Sequence, residues 1–184
     1  MDNSELIKEV KQGSAAAQKW LFDQFAQKML VVCLRYVKNP EEAEELLLDG
    51  FYKFFKKISS FSYQGDAALY SWLKKIMINE CLMFLRKKNV FTIVTEATAE
   101  EIPLQEEALG NLSAEEIFKL IVQLPVGYRT VFNLHVVEGL THVEIARLLN
   151  ISEGTSRSQF SKAKILLQKL LSQNDIEYVK RKSQ

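Results

Sequence analysis

The stretch THVEIARLLNISEGTSRSQFSKAKILLQKLL, residues 141–171 of this 184-residue chain, predicts the fold of the second half of the protein. Thr141 and Glu144 stand in the pattern of a capping box, so we expect a short helix over 142–149. Asn150 can adopt the left-handed conformation of a turn, and Ser152 can cap a second helix over 153–172. A short helix, a brief turn and a longer basic helix are typical of a helix-turn-helix.

The start of the second predicted helix is rich in side chains that bind DNA. Hydroxyl, amide, guanidinium and ammonium groups bond to phosphates and to base edges in the major groove. Such groups occur at Ser152, Thr155, Ser156, Arg157, Ser158, Gln159 and Lys162, and Lys164 and Lys169 follow on the same helix. We therefore predict that this helix reads duplex DNA. An ordinary three-helix bundle with a polar surface is the alternative that this pattern leaves open.

Apolar periodicity in the rest of the chain predicts helices and no strands. In the first half we expect helices over 14–38, 40–58 and 69–87, with a loop around Gly65 before the third. Asn39 followed by Pro40 is a strong helix start. In the second half, helices over about 113–123 and 126–138 precede the quoted stretch, and Gly139 ends the latter. The predicted fold class is all-α.

An acidic segment without periodicity divides the chain. Residues 89–116 carry seven acidic side chains and no basic one. We expect a flexible or extended linker over 89–111 between two small helical domains at 1–88 and 112–173, followed by a polar tail at 174–184 that frays. Basic side chains are concentrated on either side of the linker, eight within 50–88 and eight within 144–184. This distribution favours a polyanionic partner.

Composition excludes several classes of protein. No run of residues approaches the ~20 apolar positions of a membrane span, and the N-terminus lacks the basic and apolar regions of a secretory signal. Two cysteines, Cys33 and Cys81, are too few for a disulfide framework or a multi-cysteine zinc site, and they fit a reducing compartment. We expect a cytoplasmic protein without a cofactor or a bound metal.

Both halves of the chain carry longer motifs in a characteristic order. The second half contains, in sequence, Leu124-Pro125, Arg129, Val131-Phe132, Leu134, Glu138-Gly139, Glu144-Ile145-Ala146, Gly154-Thr155, Ser158 and Ala163. The first half contains Glu42-Ala43-Glu44-Glu45-Leu46, Phe51, Phe61, Gly65-Asp66, Trp72-Leu73, Ile76, Asn79 and Leu85-Arg86. These motifs resemble region 4 and region 2 of bacterial sigma factors of the extracytoplasmic-function (ECF) group. Leu48 stands where the family usually has glutamine, which implies one altered polymerase contact. Leu69, Met83 and Ser156 also depart from the usual residues of the family, so a promoter preference cannot be carried over.

The resemblance implies a transcription initiation factor that performs no bond chemistry itself. One helix of region 2 is expected to bind core RNA polymerase through Glu41, Glu42, Glu45, Leu46 and Asp49. The rest of region 2 is expected to melt and read the −10 element through Phe61, Tyr63, Tyr70, Trp72, Lys74, Lys75, Asn79 and Arg86. Region 4 is expected to read the −35 element with the DNA-binding groups of the quoted stretch. The implied partners are core RNA polymerase, promoter DNA and an anti-sigma protein.

Two other functions remain open at this point. A helix-turn-helix regulator that binds DNA without polymerase would explain 141–171 but leaves 41–88 without a role. An enzyme would need a catalytic centre. The candidate metal ligands for one are His135 and His142, with Glu138 and Glu144 nearby. The chain has no HExxH spacing, phosphate-binding loop or nucleophile elbow. His135 lies in an apolar helical pattern and fits a packed helix better than a metal site.

Overall fold

A computed structural model describes the backbone of residues 3–88 and 113–182, and the side chains in these ranges except at 114 and 174–182. All regular structure in these ranges is helical, which confirms the predicted all-α class. The chain divides into two compact units, Met1–Leu85 and Arg86–Gln184. The predicted linker over 89–111 lies outside the described residues.

The described part of the first unit contains four α-helices. They are α1 (Asn3–Lys11), α2 (Ala15–Val37), α3 (Pro40–Lys57) and α4 (Asp66–Lys87), and a 3-10 turn at Ile58–Ser60 follows α3. α2 and α3 confirm two predicted helices, and the Asn39 side chain caps α3 by accepting a bond from the Glu42 N–H at 2.9 Å. α4 begins at Asp66 rather than at 69, because a carboxylate in the first turn is stabilised by the helix dipole.

The sequence does not predict α1, and packing explains why the helix forms. Nine residues are too few for a stable isolated helix. Leu6, Ile7 and Val10 are buried, and α1 packs against α2 and the 3-10 turn. Tertiary contact, rather than local propensity, therefore stabilises α1.

The core of the first unit consists of large side chains from α2, α3 and α4. Fully buried examples are Leu21, Met29, Tyr36, Phe54, Leu69, Leu73 and Met77. α3 contacts α4 at three positions along its length. A Cβ at Gly50 would lie 2.2 Å from the sulfur of Met77, the Lys53 Nζ lies 2.5 Å from the Glu80 Oε2, and the ring centroids of Phe54 and Trp72 are 4.9 Å apart.

The described part of the second unit contains four further helices. They are α5 (Ala114–Ile121), α6 (Val126–Phe132), α7 (His142–Leu149) and α8 (Glu153–Lys182), and α6 continues into a π-helical turn at Asn133–Val137. The predicted capping boxes at Ser113 and Thr141 are both present. Gly139 and Asn150 have positive φ angles of 72° and 57°, as predicted for the ends of α6 and α7.

α8 corrects the prediction for the C-terminus. We expected the last helix to end near 172 and the tail over 174–184 to fray, whereas the helix continues to Lys182. Residues 173–182 contain neither glycine nor proline, so no helix breaker interrupts them. None of the helices in the described ranges is long and apolar enough to cross a membrane.

Arg129 connects α5 to the rest of the second unit. Its buried guanidinium donates from Nη1 to the backbone oxygens of Leu124, at 2.9 Å, and Val122, at 3.2 Å. Burial lowers the pKa of Arg129, and the carbonyl groups at the end of α5 provide the negative dipole that the cation needs. An apolar cluster of Leu120, Leu124, Phe132, Ala163 and Leu167 packs α5 and α6 against α8.

Candidate functional site

The start of α8 is held by its own polar side chains. The Ser152 Oγ accepts a bond from the Thr155 N–H at 2.9 Å and lies 2.8 Å from the Thr155 hydroxyl. Ser152 is exposed and Thr155 is half-buried. Ser152 therefore caps the helix and Thr155 lies in its first turn, so both predicted DNA-binding residues are at the helix N-terminus, where backbone N–H groups favour phosphate.

Arg157 is the exposed cation of this helix start. Its Nε and Nη2 donate to the Glu153 Oε1 at 3.0 and 2.6 Å. Ser158 and Lys162 are half-buried, and the Ser158 hydroxyl has no hydrogen-bond partner among the described residues. Lys164 lies with its Nζ 5.1 Å from the ring centroid of Phe160. Of the predicted −35 residues, Arg157 has the charge and exposure most suited to a base edge.

Two of the predicted −35 residues face the interior instead, so the prediction that they contact DNA is wrong. Ser156 is 0% and Gln159 is 1% exposed. The Ser156 hydroxyl lies 2.9 Å from the His142 Nδ1 on α7. The Gln159 amide lies against α6, where a Cβ at Gly127 would be 2.9 Å from its Oε1. Positions 156, 159, 163 and 167 form one helical stripe, and this spacing could have indicated that they are buried.

His135 and His142, the candidate metal ligands, form a packed ring cluster. Their rings stack with centroids 4.4 Å apart, and the His135 ring meets Phe160 edge-on at 4.7 Å. The His135 Nδ1 lies 2.7 Å from the Leu140 oxygen, so each imidazole has a hydrogen-bond partner. Burial lowers the pKa of His142, and His135 lowers it further. The described residues contain no group of three or more His, Cys, Asp or Glu side chains that could hold a metal.

The loop 61–65 and α4 bring part of the predicted −10 set together. The ring of Phe61 stacks on Trp72 with centroids 4.7 Å apart and planes at 9°. Trp72 also contacts Phe54, so its ring supports Phe61 rather than presenting a free face. The Tyr63 hydroxyl donates to the Asp66 carboxylate.

One face of α4 carries three predicted DNA contacts. Positions 72, 75, 79 and 86 follow helical spacing, and Lys75, Asn79 and Arg86 are exposed. Two other predicted contacts lie elsewhere. Tyr70 packs on Phe25 of α2 with centroids 6.4 Å apart, and Lys74 is half-buried at a position away from this face. The structure therefore separates Tyr70 and Lys74 from the Phe61 loop and its neighbouring cations.

The exposed face of α3 differs from the predicted polymerase surface. Glu41, Glu45 and Asp49 are exposed and Glu42 is half-buried, but Leu46 is buried at 6% exposure. Because Leu46 packs in the core, the prediction that it contacts polymerase is wrong.

Two large side chains that the prediction omitted occupy this face. Leu48 is 59% and Tyr52 is 65% exposed, and the Lys56 Nζ lies 5.9 Å from the Tyr52 ring centroid. Positions 41, 45, 48 and 52 share the helical spacing of the acidic face, so the sequence contained the signal.

Comparisons with known proteins assign both halves of the chain. The family model described as Sigma-70 region 2 matches residues 21–90, and the model described as Sigma-70, region 4 matches residues 114–167. The RNA polymerase sigma-H factor of Pseudomonas aeruginosa is 28% identical over 182 residues, which cover 92% of this chain and 93% of that protein. The ECF RNA polymerase sigma factor SigW of Bacillus subtilis is 28% identical over 179 residues, with 90% and 94% covered.

A solved structure is also similar to this chain. The sigma factor RpoE of Bartonella quintana, determined in complex with the anti-sigma factor NepR, is 24% identical, with 84% of this chain and 96% of that chain covered and a TM-score of 0.48. The two family models match in the order that the motifs predict, and the curated relatives align over nearly their whole length. The resemblance is confirmed: the chain belongs to the ECF group of the sigma-70 family, whose members direct RNA polymerase to promoters.

Proposed function

We propose that the first unit binds core RNA polymerase with α3 and reads the −10 element with the loop 61–65 and α4, and that the second unit reads the −35 element with α8. The observation that carries this proposal is the presence of region 2 and region 4 in one chain. A regulator that acts without polymerase needs only the helix-turn-helix. As a member of the family, the chain is a non-catalytic initiation subunit, and we propose that it acts in the cytoplasm without a cofactor.

The proposed polymerase contact is the exposed face of α3. Glu41, Glu45 and Asp49 are suited to a basic partner surface and would speed encounter with it. Leu48 and Tyr52 supply apolar area in the middle of the same face. Tyrosine is among the side chains that most often dominate binding energy at protein interfaces and leucine is not, so Tyr52 is the main candidate and Leu48 adds apolar area beside it. Leu48 stands where family members usually have glutamine, so we propose that an apolar contact replaces a polar one here.

The proposed −10 surface combines aromatic rings with cations. Stacking on an aromatic side chain contributes about 1–3 kcal/mol per base, and extruding a base costs a few kcal/mol. Phe61, supported by Trp72, and Tyr63 are the half-buried rings of the loop. Lys75 and Arg86 lie on the face of α4 that carries Trp72 and would follow the DNA backbone. The aromatic rings of the loop and the neighbouring cations of α4 favour capture of single-stranded DNA at this surface.

The proposed −35 surface depends on the first turns of α8. Arg157 is the candidate for a bidentate base contact, which contributes about 1–3 kcal/mol of discrimination. Ser152, Thr155, Ser158 and Lys162 are the remaining candidates, and we assign them to phosphate contacts. Ser156 and Gln159 are omitted because they are buried.

We extend the proposal to an anti-sigma protein that competes for the same polymerase surface. Its support in the structure is the exposure of Leu48 and Tyr52, which such a competitor would cover. The acidic linker over 89–111 stays a prediction, because these residues lie outside the described ranges.

Transcription with purified core RNA polymerase and a library of randomised templates tests the proposed function. We expect initiation from templates that share two elements, and loss of the upstream element from the selected set with Arg157→Ala. Leu48→Ala should reduce co-elution with core polymerase, whereas Val31→Ala, which removes an apolar side chain exposed on α2, serves as the matched control. Failure to co-elute and to initiate from any template would contradict the proposal. Tight binding to duplex DNA without polymerase would favour a polymerase-independent regulator.

A further inference from the structure

Helix α1 holds both ends of the loop 61–65. At the first end, the Lys11 Nζ donates to the Phe61 backbone oxygen at 2.6 Å. At the other end, the Asn3 side chain is hydrogen-bonded to the Asp66 carboxylate. Asn3 and Lys11 are the first and last residues of α1, which places them ~12 Å apart along the helix. α1 therefore lies beside the loop and contacts it at its two ends.

The same attachments fix the aromatic side chains of the loop. The Phe61 ring is stacked on Trp72 while its carbonyl is bonded to Lys11. The Tyr63 hydroxyl and the Asn3 side chain both bond to the Asp66 carboxylate, and these bonds lower the pKa of Asp66. Residues 61–65 have no helix or strand of their own to hold them. Their conformation consequently depends on contacts made by the neighbouring elements.

α1 is firmly anchored, and no function is assigned to it by the comparisons. Leu6, Ile7 and Val10 are at most 2% exposed. The region 2 match begins at residue 21, so α1 lies outside the matched segment. Ordering a flexible segment costs about 1–2 kcal/mol per residue, and a loop that is ordered before binding avoids this cost during recognition.

We infer that α1 is a brace for the loop 61–65, and that Lys11 is a positioning residue for recognition of the −10 strand. Lys11 acts through the Phe61 carbonyl and not on the DNA. The inference rests on the proposed −10 function of the loop, and it adds the element that sets the loop conformation.

The competing explanation is that the Lys11 ammonium contacts a phosphate of the DNA. The two explanations differ in their salt dependence. Removing one phosphate contact from a single strand reduces the slope of log affinity against log salt by about 0.7. Removing a positioning contact lowers affinity and leaves that slope unchanged. Lys8, which is exposed on the same helix, provides a matched control because Lys8→Ala removes an equal charge from α1.

The experiment uses holoenzyme made with the wild type, Lys11→Ala, Lys11→Arg or Lys8→Ala. The probe is a forked DNA with a single-stranded −10 non-template strand, taken from a template selected in the transcription test. Fluorescence anisotropy at several salt concentrations gives the affinities. Hydrogen exchange of the backbone amides in 61–65, measured on the same holoenzyme preparations before DNA is added, reports how well the loop is ordered.

We expect Lys11→Ala to weaken binding about tenfold, the loss expected for one hydrogen bond from a charged donor, with the salt slope unchanged. Exchange in the loop should accelerate, Lys11→Arg should stay within about twofold of the wild type, and Lys8→Ala should match the wild type. Unchanged loop exchange in Lys11→Ala, an equal loss in Lys8→Ala or a smaller salt slope would overturn the brace. If the loop amides exchange faster in Lys11→Ala but the wild-type holoenzyme does not bind the forked DNA, then α1 does brace the loop and the proposed −10 function is refuted.

Discussion

Glu153 is paired with the guanidinium that we propose for the −35 contact, so we expect it to compete with DNA for Arg157, and Glu153→Gln tests this competition. Both bonds between the two side chains end on the Glu153 Oε1, and the side chains are 65% and 42% exposed for Arg157 and Glu153. An exposed pair spaced four residues apart on a helix contributes about 0.3–0.5 kcal/mol. The Nε–Nη2 edge of Arg157 can bond to a base only after it releases the carboxylate. Glu153→Gln should therefore raise the affinity of the holoenzyme for −35 duplex DNA about twofold.

The same substitution should lower stability, so the two effects have opposite signs. Glu153 is in the first turn of α8, where a carboxylate gains about 0.3–1 kcal/mol from the helix dipole. Adding the lost pair, we expect the free energy of unfolding to fall by about 0.6–1.5 kcal/mol. Urea titration of the free chain measures this quantity.

The assay for affinity is anisotropy of a labelled −35 duplex titrated with holoenzyme. Arg157→Ala should weaken binding about 5- to 150-fold, the equivalent of 1–3 kcal/mol. The double variant with Glu153→Gln and Arg157→Ala separates release of the guanidinium from a general effect of charge. An equal gain from Glu153→Gln in both backgrounds, or a loss of affinity in the wild-type background, would refute the reasoning.

Three further predictions follow from burial and charge. Leu48→Ala and Tyr52→Ala should each weaken core polymerase binding about tenfold in a co-elution titration, without reducing stability. Leu46→Ala should instead lower the free energy of unfolding by about 2–5 kcal/mol, measured in urea, because Leu46 is buried. Gln159→Leu should raise the free energy of unfolding by about 1 kcal/mol, because the buried amide has no hydrogen-bond partner among the described residues. If the same variant loses affinity for −35 DNA, Gln159 is a DNA contact after all. The pKa of His142 is lower in the folded state than its usual 6.5, so below that pH the folded chain binds fewer protons than the unfolded chain. The free energy of unfolding should therefore fall as the pH drops below 6.5. Urea titrations at several pH values should show that His142→Asn removes this pH dependence.

Local signals in the sequence predicted the helix ends well. Asn39, Thr141 and Asn150 act through atoms within three or four residues of themselves, so their roles do not depend on the rest of the fold. α1 could not be predicted in this way, because its short apolar stripe becomes stable only when α2 and the 3-10 turn cover it. The polar composition of 173–182 predicts fraying, but these residues contain no helix breaker and α8 continues to Lys182.

The candidate sites were predicted less accurately than the fold. Leu46, Ser156 and Gln159 belong to the right helices but point inward, because a matched motif identifies a segment and does not state which side is solvent-facing. Leu48 and Tyr52 lie outside the predicted set because the acidic spacing of 41, 45 and 49 defines the expected surface, and only the structure shows how far these two side chains are exposed. The bonds from Lys11 to Phe61 and from Asn3 to Asp66 join residues that are 50 and 63 positions apart, and no periodic pattern reports such contacts.

The contacts of Gly50, Lys53 and Phe54 with α4 have a mechanical consequence. The three contacts lie within little more than one turn of α3, so they hold α3 to α4 at one place. If α3 binds polymerase and α4 contacts DNA as we propose, this contact would couple the two surfaces directly, because a displacement of α3 would be transmitted to α4 through the packed side chains.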